Sequence, residues 1–185
     1  MREGQAMNII NMNRLRQHQL LEAGQMLTDS LPLGWATLDD AMQEINDCLS
    51  PGNTMLAALE NGQVIGWGGI LAPIYSGHVF ELHPLVVRTD QRHRGIGRAI
   101  VQALEEAARS QGGLTLYLGS DDERDPGETS FADTDLYDHL ADKLRDFQPG
   151  THPAAFYQRL GFQIVGVMPD ANGIGKPDII MAKRL

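Results

Sequence analysis

Three side chains that can move protons or bind cations stand in short motifs of this sequence: Glu81, His83 and Tyr157. In a strand, Glu81 and His83 share one face, because side chains alternate along a strand. A carboxylate there can bind an ammonium group, and either residue can take its proton, directly or through water. A tyrosine hydroxyl can donate a proton to a leaving group. Isolated residues of these types are ordinarily solvated or packed, so the surrounding motifs must decide.

A glycine-containing segment, residues 91–98, follows the apolar run that holds Glu81 and His83 and precedes an amphipathic one. Gly95 and Gly97 let the backbone approach an anion, and the free N–H groups of a first helical turn point at it. We therefore expect a pyrophosphate here. A dinucleotide fingerprint would need a third glycine and an acidic residue about 20 residues on. Two alternatives stay open: a turn that merely needs glycine, and a different pyrophosphate carrier.

Acidic residues are concentrated in one segment. The net charge of the chain is −9, and residues 121–146 contain ten acidic and three basic residues, a net charge of −7. A charge run is ordinarily a solvated face, and the alternative is a surface that attracts a polycation. The overall charge disfavours a nucleic-acid partner, because such binding depends on Lys and Arg contacts with phosphates.

Hydrophobic periodicity and turn residues predict a mixed α/β chain in the order β-α-α-β-β-β-α-β-α-α-β-β. Asn61-Gly62 predicts a tight hairpin, because it accepts the positive φ angles of a two-residue turn. Asn13 and Thr37 are the expected caps of the first two helices. The expected strands cover residues 7–12, 54–59, 64–71, 78–87, 114–118, 162–168 and 179–182, and the later helices cover 97–111, 135–147 and 153–160.

Pro84 interrupts the run at 78–87. A proline has no N–H to donate to a sheet, so this strand must bulge or splay at that point.

Length and composition predict one domain over residues 1–185, with residues 1–6 as a possible disordered leader. No apolar run reaches the ~18 residues of a membrane span, and no secretory signal is recognised, so we expect a cytoplasmic protein without a membrane partner. Cys48 is the only cysteine, which excludes an internal disulfide and a Cys-based metal cluster. We expect Cys48 to be a packing residue and expect no metal.

The pattern Arg92-x-x-Gly95-x-Gly97 resembles the acyl-CoA signature of the GNAT superfamily of acetyltransferases. Further blocks look like one branch of that superfamily, the aminoglycoside 6'-N-acetyltransferases. These blocks run from Glu81 nearly to the C-terminus and include 81–87, Tyr117-Leu118-Gly119-Ser120-Asp121-Asp122, His152-Pro153 with Phe156-Tyr157, Ala171-Asn172-Gly173 and Lys176-Pro177-Asp178. Residues 1–80 agree in layout with weaker identity.

The resemblance implies a GNAT fold, in which a mostly antiparallel sheet with flanking helices is splayed at the fourth strand. It implies transfer of the acetyl group of acetyl-CoA to the 6'-amino group of aminoglycosides by direct attack of the amine, antibiotic resistance, and a homodimer. The implied cofactor contacts are Leu85, Val86, Val87, Arg92, His93, Arg94, Gly95, Ile96, Gly97 and Arg98.

The resemblance also assigns roles at the reacting groups. The backbone N–H of Leu85 polarises the thioester carbonyl, Glu81 holds the substrate ammonium, and Glu81 or His83 takes its proton. Tyr157 donates a proton to the departing thiolate. The implied substrate ligands are Glu81, His83, Asp121, Asp122 and Asp178, with a loop near Trp35 on the acceptor side.

Two other functions stay open from the sequence. One is acetylation of another cationic amine, a polyamine or a protein lysine. The other is a noncatalytic acyl-CoA-binding sensor, which Glu81, His83 and Tyr157 together disfavour, because binding alone does not require them.

Overall fold

The structure is a computed structural model that describes residues 7–185. The leader expected at residues 1–6 lies outside the described residues. The chain divides into two compact units, one running up to Leu114 and including Leu185, the other comprising Thr115–Arg184. The expectation of one domain over residues 1–185 stays a prediction.

Among its described residues, the first unit contains a four-stranded antiparallel sheet and three α-helices. Its strands are β1 (Asn8–Asn11), β2 (Thr54–Glu60), β3 (Gln63–Ile70) and β4 (Val79–Val87), paired in that order. Its helices are α1 (Gln17–Ser30), α2 (Leu38–Cys48) and α3 (Ile96–Ser110). Gly66 faces Ile96 and Ile100 of α3, whereas the neighbouring Trp67 donates from Nε1 to the Ala23 carbonyl of α1. Because successive strand residues face opposite sides, α1 and α3 cover opposite faces.

The second unit is a three-stranded antiparallel sheet with two short helices. Its strands are β5 (Thr115–Asp121), β6 (Gln163–Met168) and β7 (Asp178–Arg184), and β7 pairs with both of the others. Its helices are α4 (Leu140–Arg145) and α5 (Ala154–Arg159). The order of helices and strands predicted from the sequence is thereby confirmed. No helix in residues 7–185 has the length and apolar character that a bilayer span requires.

Local sequence signals explain several of these elements. The β2–β3 hairpin turns at Asn61 and Gly62, whose φ angles are 52° and 80°. Thr37 caps α2, because its side chain accepts from the Asp40 N–H while the Asp40 carboxylate accepts from the Thr37 N–H. Both predictions are confirmed.

Two helix boundaries differ from expectation. Asn13 is not the cap of α1: the Asn11 side chain accepts from its N–H and holds a 3₁₀ turn, and α1 begins later, at Gln17. The helix expected at 135–147 is only Leu140–Arg145. The Asp135 carboxylate accepts from the Tyr137 N–H and forms a local turn that competes with helix.

The bulge predicted at Pro84 is present. In the β3–β4 register, Gly68 pairs with Leu85 and Ile70 with Leu82, so that Gly69 alone stands opposite His83 and Pro84. The extra residue in β4 changes which side chains face α1 and α2. His83 contacts α2, and Val86, three positions later, belongs to the buried cluster with Leu27 and Ile45 on the same side. Glu81 lies before the bulge and His83 is its first residue, and the two share one face of the strand.

Candidate active site

The strand β4 presents His83 to a carboxylate that was not anticipated. Its Nε2 lies 3.1 Å from Oε1 of Glu44 on α2. Trp35 donates from Nε1 to the other Glu44 oxygen at 3.2 Å, and the Cys48 thiol donates to Oε1 at 3.2 Å. The Trp35 and His83 ring centroids are 5.9 Å apart. The Glu44 carboxylate thus contacts three side chains. The loop that carries Trp35 lies beside His83, as the resemblance implied for the acceptor side.

The contact with Glu44 orients the imidazole. An ionised carboxylate only accepts hydrogen bonds, so Nε2 of His83 carries the hydrogen and Nδ1 keeps a lone pair in the neutral ring. The His83 and Glu44 side chains are 34% and 24% exposed, so the pair can still be reached from solvent. Such an arrangement gives a base with a fixed tautomer and orientation.

Cys48 belongs to the packing of α2. It is 2% exposed in the cluster with Ile45 and Trp67, as expected from the sequence. Burial raises the pKa of the Cys48 thiol, and the neighbouring Glu44 carboxylate raises it further. The residue is therefore a thiol, not a nucleophilic thiolate, in the neutral pH range.

The loop before α3 has the backbone required of an anion site. Gly95 has a φ of 81°, stands at the N-cap of α3, and no side chain caps this helix end. A Cβ built on Gly95 meets no atom within 4 Å, so the space beside the helix terminus is open. Because the N–H groups of a first helical turn lack intrahelical partners, Ile96, Gly97 and Arg98 can donate them to a pyrophosphate.

Two arginines of this loop are held by neighbours. Arg94 pairs with Glu60 at the end of β2 at 2.8 Å and also contacts Gln91. Arg92 donates from Nε to the Val87 carbonyl at 3.2 Å. His93 adopts a φ of 64°. These contacts hold the loop in one conformation. They also mean that part of its positive charge is already paired with groups of the protein.

Small residues on β3 serve packing. A Cβ on Gly68 would lie 2.8 Å from the Pro84 carbonyl oxygen, and one on Gly69 would lie 2.0 Å from the Met55 sulfur. Gly68 allows the backbone at the bulge to approach β3, and Gly69 leaves room for the Met55 side chain of β2, so packing within the sheet accounts for both glycines.

In the second unit, the two consecutive aspartates after β5 have different surroundings. Asp122 is 1% exposed, and its two oxygens accept from the backbone N–H groups of Glu128 and Thr129, each at 2.8 Å. Burial acts to raise the pKa of Asp122, but these hydrogen bonds, with the charge of His152, hold it below its ordinary value. Asp122 therefore fixes the loop at 127–129, and its role as a substrate ligand stays a prediction.

Asp121 is exposed, and its carboxylate accepts from the Asn172 side chain at 2.6 Å. Its carbonyl accepts from Nε2 of the buried His152 at 2.9 Å, and the other ring nitrogen of His152 accepts from the Ala154 N–H at 3.2 Å. His152 therefore links β5 to the start of α5 and serves structure. Asn172, which orients Asp121, was recognised only as part of a sequence block.

Asp178 begins β7, directly opposite Asp121 in the β5–β7 register. A Cβ added to Gly119 would lie 2.7 Å from Asp178 Oδ2, so glycine is needed where this carboxylate crosses β5. The acidic patch at this end of the sheet thus contains Asp121, Asp122 and Asp178, of which only Asp121 is exposed.

Tyr157 lies on α5 and is 9% exposed. Its ring makes edge contacts with Phe156 and Phe162, with centroids 5.1 Å and 5.7 Å away. Burial raises the pKa of the Tyr157 hydroxyl. The group therefore stays protonated at neutral pH, which is the form that a proton donor must have.

Comparison with known proteins places these features in a family. The family model described as Acetyltransferase (GNAT) family matches residues 20–132. A solved aminoglycoside 6'-N-acetyltransferase, complexed with coenzyme A, is 36% identical over 96% of both chains, with a TM-score of 0.89. The aminoglycoside 6'-N-acetyltransferase from Enterococcus faecium is also 36% identical over 96% of both chains, with a TM-score of 0.86. An aminoglycoside 6'-acetyltransferase type Ii is 31% identical, with a TM-score of 0.73. Among the curated proteins, the comparison found no match.

These matches confirm the α/β fold class that the sequence predicted, and every strand pair described above within each unit is antiparallel. The main residue that sequence reasoning missed is Glu44. It stands on the amphipathic helix α2 with no motif around it, and only its spacing of four from Cys48 indicates that the two share a helix face.

Proposed function

Because the chain belongs to the GNAT family of acetyltransferases, we propose that it transfers the acetyl group of acetyl-CoA to the 6'-amino group of aminoglycosides. One observation carries this proposal: the likeness, over 96% of both chains, to an aminoglycoside 6'-N-acetyltransferase solved with coenzyme A. The geometry of the separate sites agrees with the chemistry that this reaction needs.

The loop before α3 would bind the diphosphate of the cosubstrate. Its open helix terminus at Gly95 supports this role, with Arg92, His93, Arg94 and Arg98 nearby in sequence. Acetyl-CoA supplies the acetyl group and leaves as the thiol. In the proposed complex the backbone of Leu85, Val86 and Val87 lies along the pantetheine arm, and the Leu85 N–H donates to the thioester carbonyl as negative charge develops there.

The acceptor amine must lose a proton before it attacks, because an alkylammonium has a pKa near ~10. Glu81 holds the ammonium by charge. His83 takes the proton at Nδ1, because its Nε2–H is already donated to the Glu44 carboxylate. Direct attack then forms the amide without an acyl-enzyme intermediate, and the thiol of Cys48, buried and protonated, is not a competing nucleophile.

Tyr157 would return a proton to the departing thiolate. The protonated state of its hydroxyl supports this role, and the raised pKa that burial causes makes the hydroxyl a weaker acid, so donation must coincide with the departure of the thiolate. The acidic residues at 121–146 would attract the polycationic acceptor, with Asp121 and Asp178 as the proposed direct ligands. Asp122, the third ligand that the resemblance implies, would act from its buried position by holding the loop and by its charge.

The test is an acceptor panel that measures thiol release from acetyl-CoA. We expect release with kanamycin and none with an analogue in which the 6'-amine is replaced by hydroxyl. Equal release from both would contradict transfer to the 6' position. Release with only spermidine or a lysine peptide would replace the aminoglycoside by another amine, and no release with any acceptor, combined with tight acetyl-CoA binding, would favour a sensor.

Three further expectations belong to this proposal. Expression in a susceptible bacterium should raise the aminoglycoside concentration needed to stop growth. Light scattering should give the mass of a homodimer, and cell fractionation should place the protein in the cytoplasm without nucleic acid or membrane.

A further inference from the structure

On α2, a carboxylate oxygen of Glu44 lies close to two side-chain atoms of kinds that commonly bind metal ions. Glu44 Oε1 lies 3.1 Å from Nε2 of His83 and 3.2 Å from Sγ of Cys48. The ligand atoms of the three residues all lie within 4.8 Å of one another. Acetyl transfer as proposed above uses His83 but requires neither the thiol nor its closeness to the imidazole.

The two separations that involve Glu44 are close to those around a tetrahedral zinc ion, and the edge between Cys48 and His83 lies within 4.8 Å. With Zn–S near 2.3 Å and Zn–N or Zn–O near ~2.0–2.1 Å, ligand atoms stand about 3.3–3.6 Å apart. The two contacts of Glu44 are shorter than this by about 0.2–0.4 Å, so side-chain rotations must lengthen both contacts and bring Cys48 and His83 to the same spacing before an ion is bound. Glu44 and Cys48 are four residues apart on α2, which sets the distance between their ligand atoms. The strand β4 positions His83, the third ligand.

We propose that Glu44, Cys48 and His83 form a three-ligand site for a thiophilic divalent cation, Zn²⁺ or its analogue Cd²⁺. One sulfur, one nitrogen and one oxygen suit such an ion, whereas Mg²⁺ and Ca²⁺ require several oxygens. The fourth position belongs to water, because the Glu44 and His83 side chains are partly exposed and provide the entry path. The single cysteine excludes a cluster of several cysteines, but it does not exclude this mixed site.

Occupation of the site changes the state of His83. The thiol proton leaves to solvent as Sγ binds the ion, and the imidazole hydrogen moves to Nδ1 so that the Nε2 lone pair binds. Nδ1 then carries hydrogen and no longer takes a proton from an amine. The bound ion is therefore an inhibitor of the proposed reaction, and this consequence alone rests on the proposed function.

The test uses tag-free, reduced protein titrated with Cd²⁺ and followed by the ultraviolet charge-transfer band of a cadmium–thiolate bond. Because Cys48 is the only cysteine, this band reports on Cys48 alone. We expect saturation at one ion per chain, no band in Cys48→Ser, and at least about 10-fold weaker binding in Glu44→Gln and in His83→Gln. Mg²⁺ at the same concentration should not compete.

Other outcomes overturn the site. These are no band in folded wild-type protein, a band that saturates at one ion per two chains, or unchanged affinity in both Glu44→Gln and His83→Gln. Circular dichroism of each variant establishes that it is folded, and the two ligand variants keep the test valid if Cys48→Ser unfolds.

A second measurement tests the inhibition. Zn²⁺ should lower acetyl transfer by the wild type, relative to its own rate without metal, and a chelator should restore it. Cys48→Ser should lose at least about 10-fold of this sensitivity. Equal inhibition of both proteins would overturn the inhibitory role. If no acceptor is acetylated at all, the proposed function fails while the cadmium band still decides the site.

Discussion

Glu44 in the first unit and Asp122 in the second are both carboxylates that collect hydrogen bonds, but their donors differ. Glu44 accepts from three side chains and is 24% exposed, whereas Asp122 accepts from two backbone N–H groups and is 1% exposed. Backbone donors fix a loop, and side-chain donors fix the orientation of functional groups. A carboxylate's availability for a ligand therefore follows from its donors and exposure, not from the acidity of its segment.

The comparison is tested most strongly by removing the buried carboxylate. Asp122→Ala leaves the Glu128 and Thr129 N–H groups without their acceptors, and we expect a loss of about 3 kcal/mol in the free energy of unfolding. Urea denaturation measures this. Asp125→Ala removes the same charge from an exposed position of the same loop and should change stability little. Equal losses in the two variants would show that charge, not hydrogen bonding, governs this loop.

The contribution of Asp122 should also depend on pH with a defined sign. Its folded pKa lies below the ordinary value of 3.8, so protons bind more readily to the unfolded chain. Its stabilisation is therefore present above pH 3.8 and is lost as the pH falls through the lowered folded pKa. The stability difference between wild type and Asp122→Asn should shrink over that acidic range, and a difference that grows on acidification would contradict the assignment.

A variant at Tyr157 tests whether the second unit contributes a general acid to the reaction in addition to the negative charge of its acidic residues. Tyr157→Phe keeps the ring contacts with Phe156 and Phe162 and removes only the hydroxyl. We expect turnover to fall about 100-fold, because a general acid is lost, with the dissociation constant for acetyl-CoA unchanged. Calorimetry and steady-state kinetics separate the two quantities. Unchanged turnover would remove Tyr157 from the mechanism.

Glu44→Gln tests the side-chain cluster. The amide no longer fixes the hydrogen on Nε2 of His83, and we expect kcat to fall roughly 10-fold through misorientation of the base, with the KM for acetyl-CoA unchanged. The variant should have no further effect in a His83→Ala background, because Glu44 acts through His83. Additive losses in the double variant would assign Glu44 a separate role.

The smallest effect is expected at the partly exposed pair of Glu60 and Arg94. The hydrogen bond from Arg94 lowers the pKa of Glu60, but Arg94 is 48% exposed and Glu60 24% exposed, and pairs open to solvent contribute little. Glu60→Gln should leave the urea midpoint unchanged within error. A clear loss of stability would mean that the exposure of a carboxylate does not predict its contribution to the free energy of unfolding in this protein.

Residues with strong local preferences were predictable. Asn61-Gly62 fixed the hairpin and Thr37 fixed the start of α2, because their preferences act within a few residues. Pro84 predicted the bulge, because a missing N–H excludes regular pairing. Local competition explains the errors: Asn11 and Asp135 each bind a nearby N–H and thereby displace the helix starts expected after Asn13 and at 135.

The contacts of the candidate site were less predictable. Glu81, His83 and Tyr157 could be named from motifs, but the meeting of Glu44 with His83 joins residues 39 positions apart. Nor does the sequence distinguish Asp121 from Asp122, since only the fold decides which of two adjacent acids is buried. Long-range contacts and burial arise only when the chain packs. The spacing of residues within a short sequence segment therefore cannot predict them.

The extra residue in β4 divides one strand into two surfaces that can change independently. Glu81 precedes the bulge, His83 is its first residue and contacts α2, and 85–87 lie beyond it, where Val86 packs in the core. Variation at 81 and 83 therefore alters the polar surface without repacking the segment beyond the bulge. Substitutions at these two positions should accordingly leave the fold intact while changing the proposed chemistry, whereas deletion of His83 or Pro84 at the bulge would turn Val86 away from the core and destabilise the first unit.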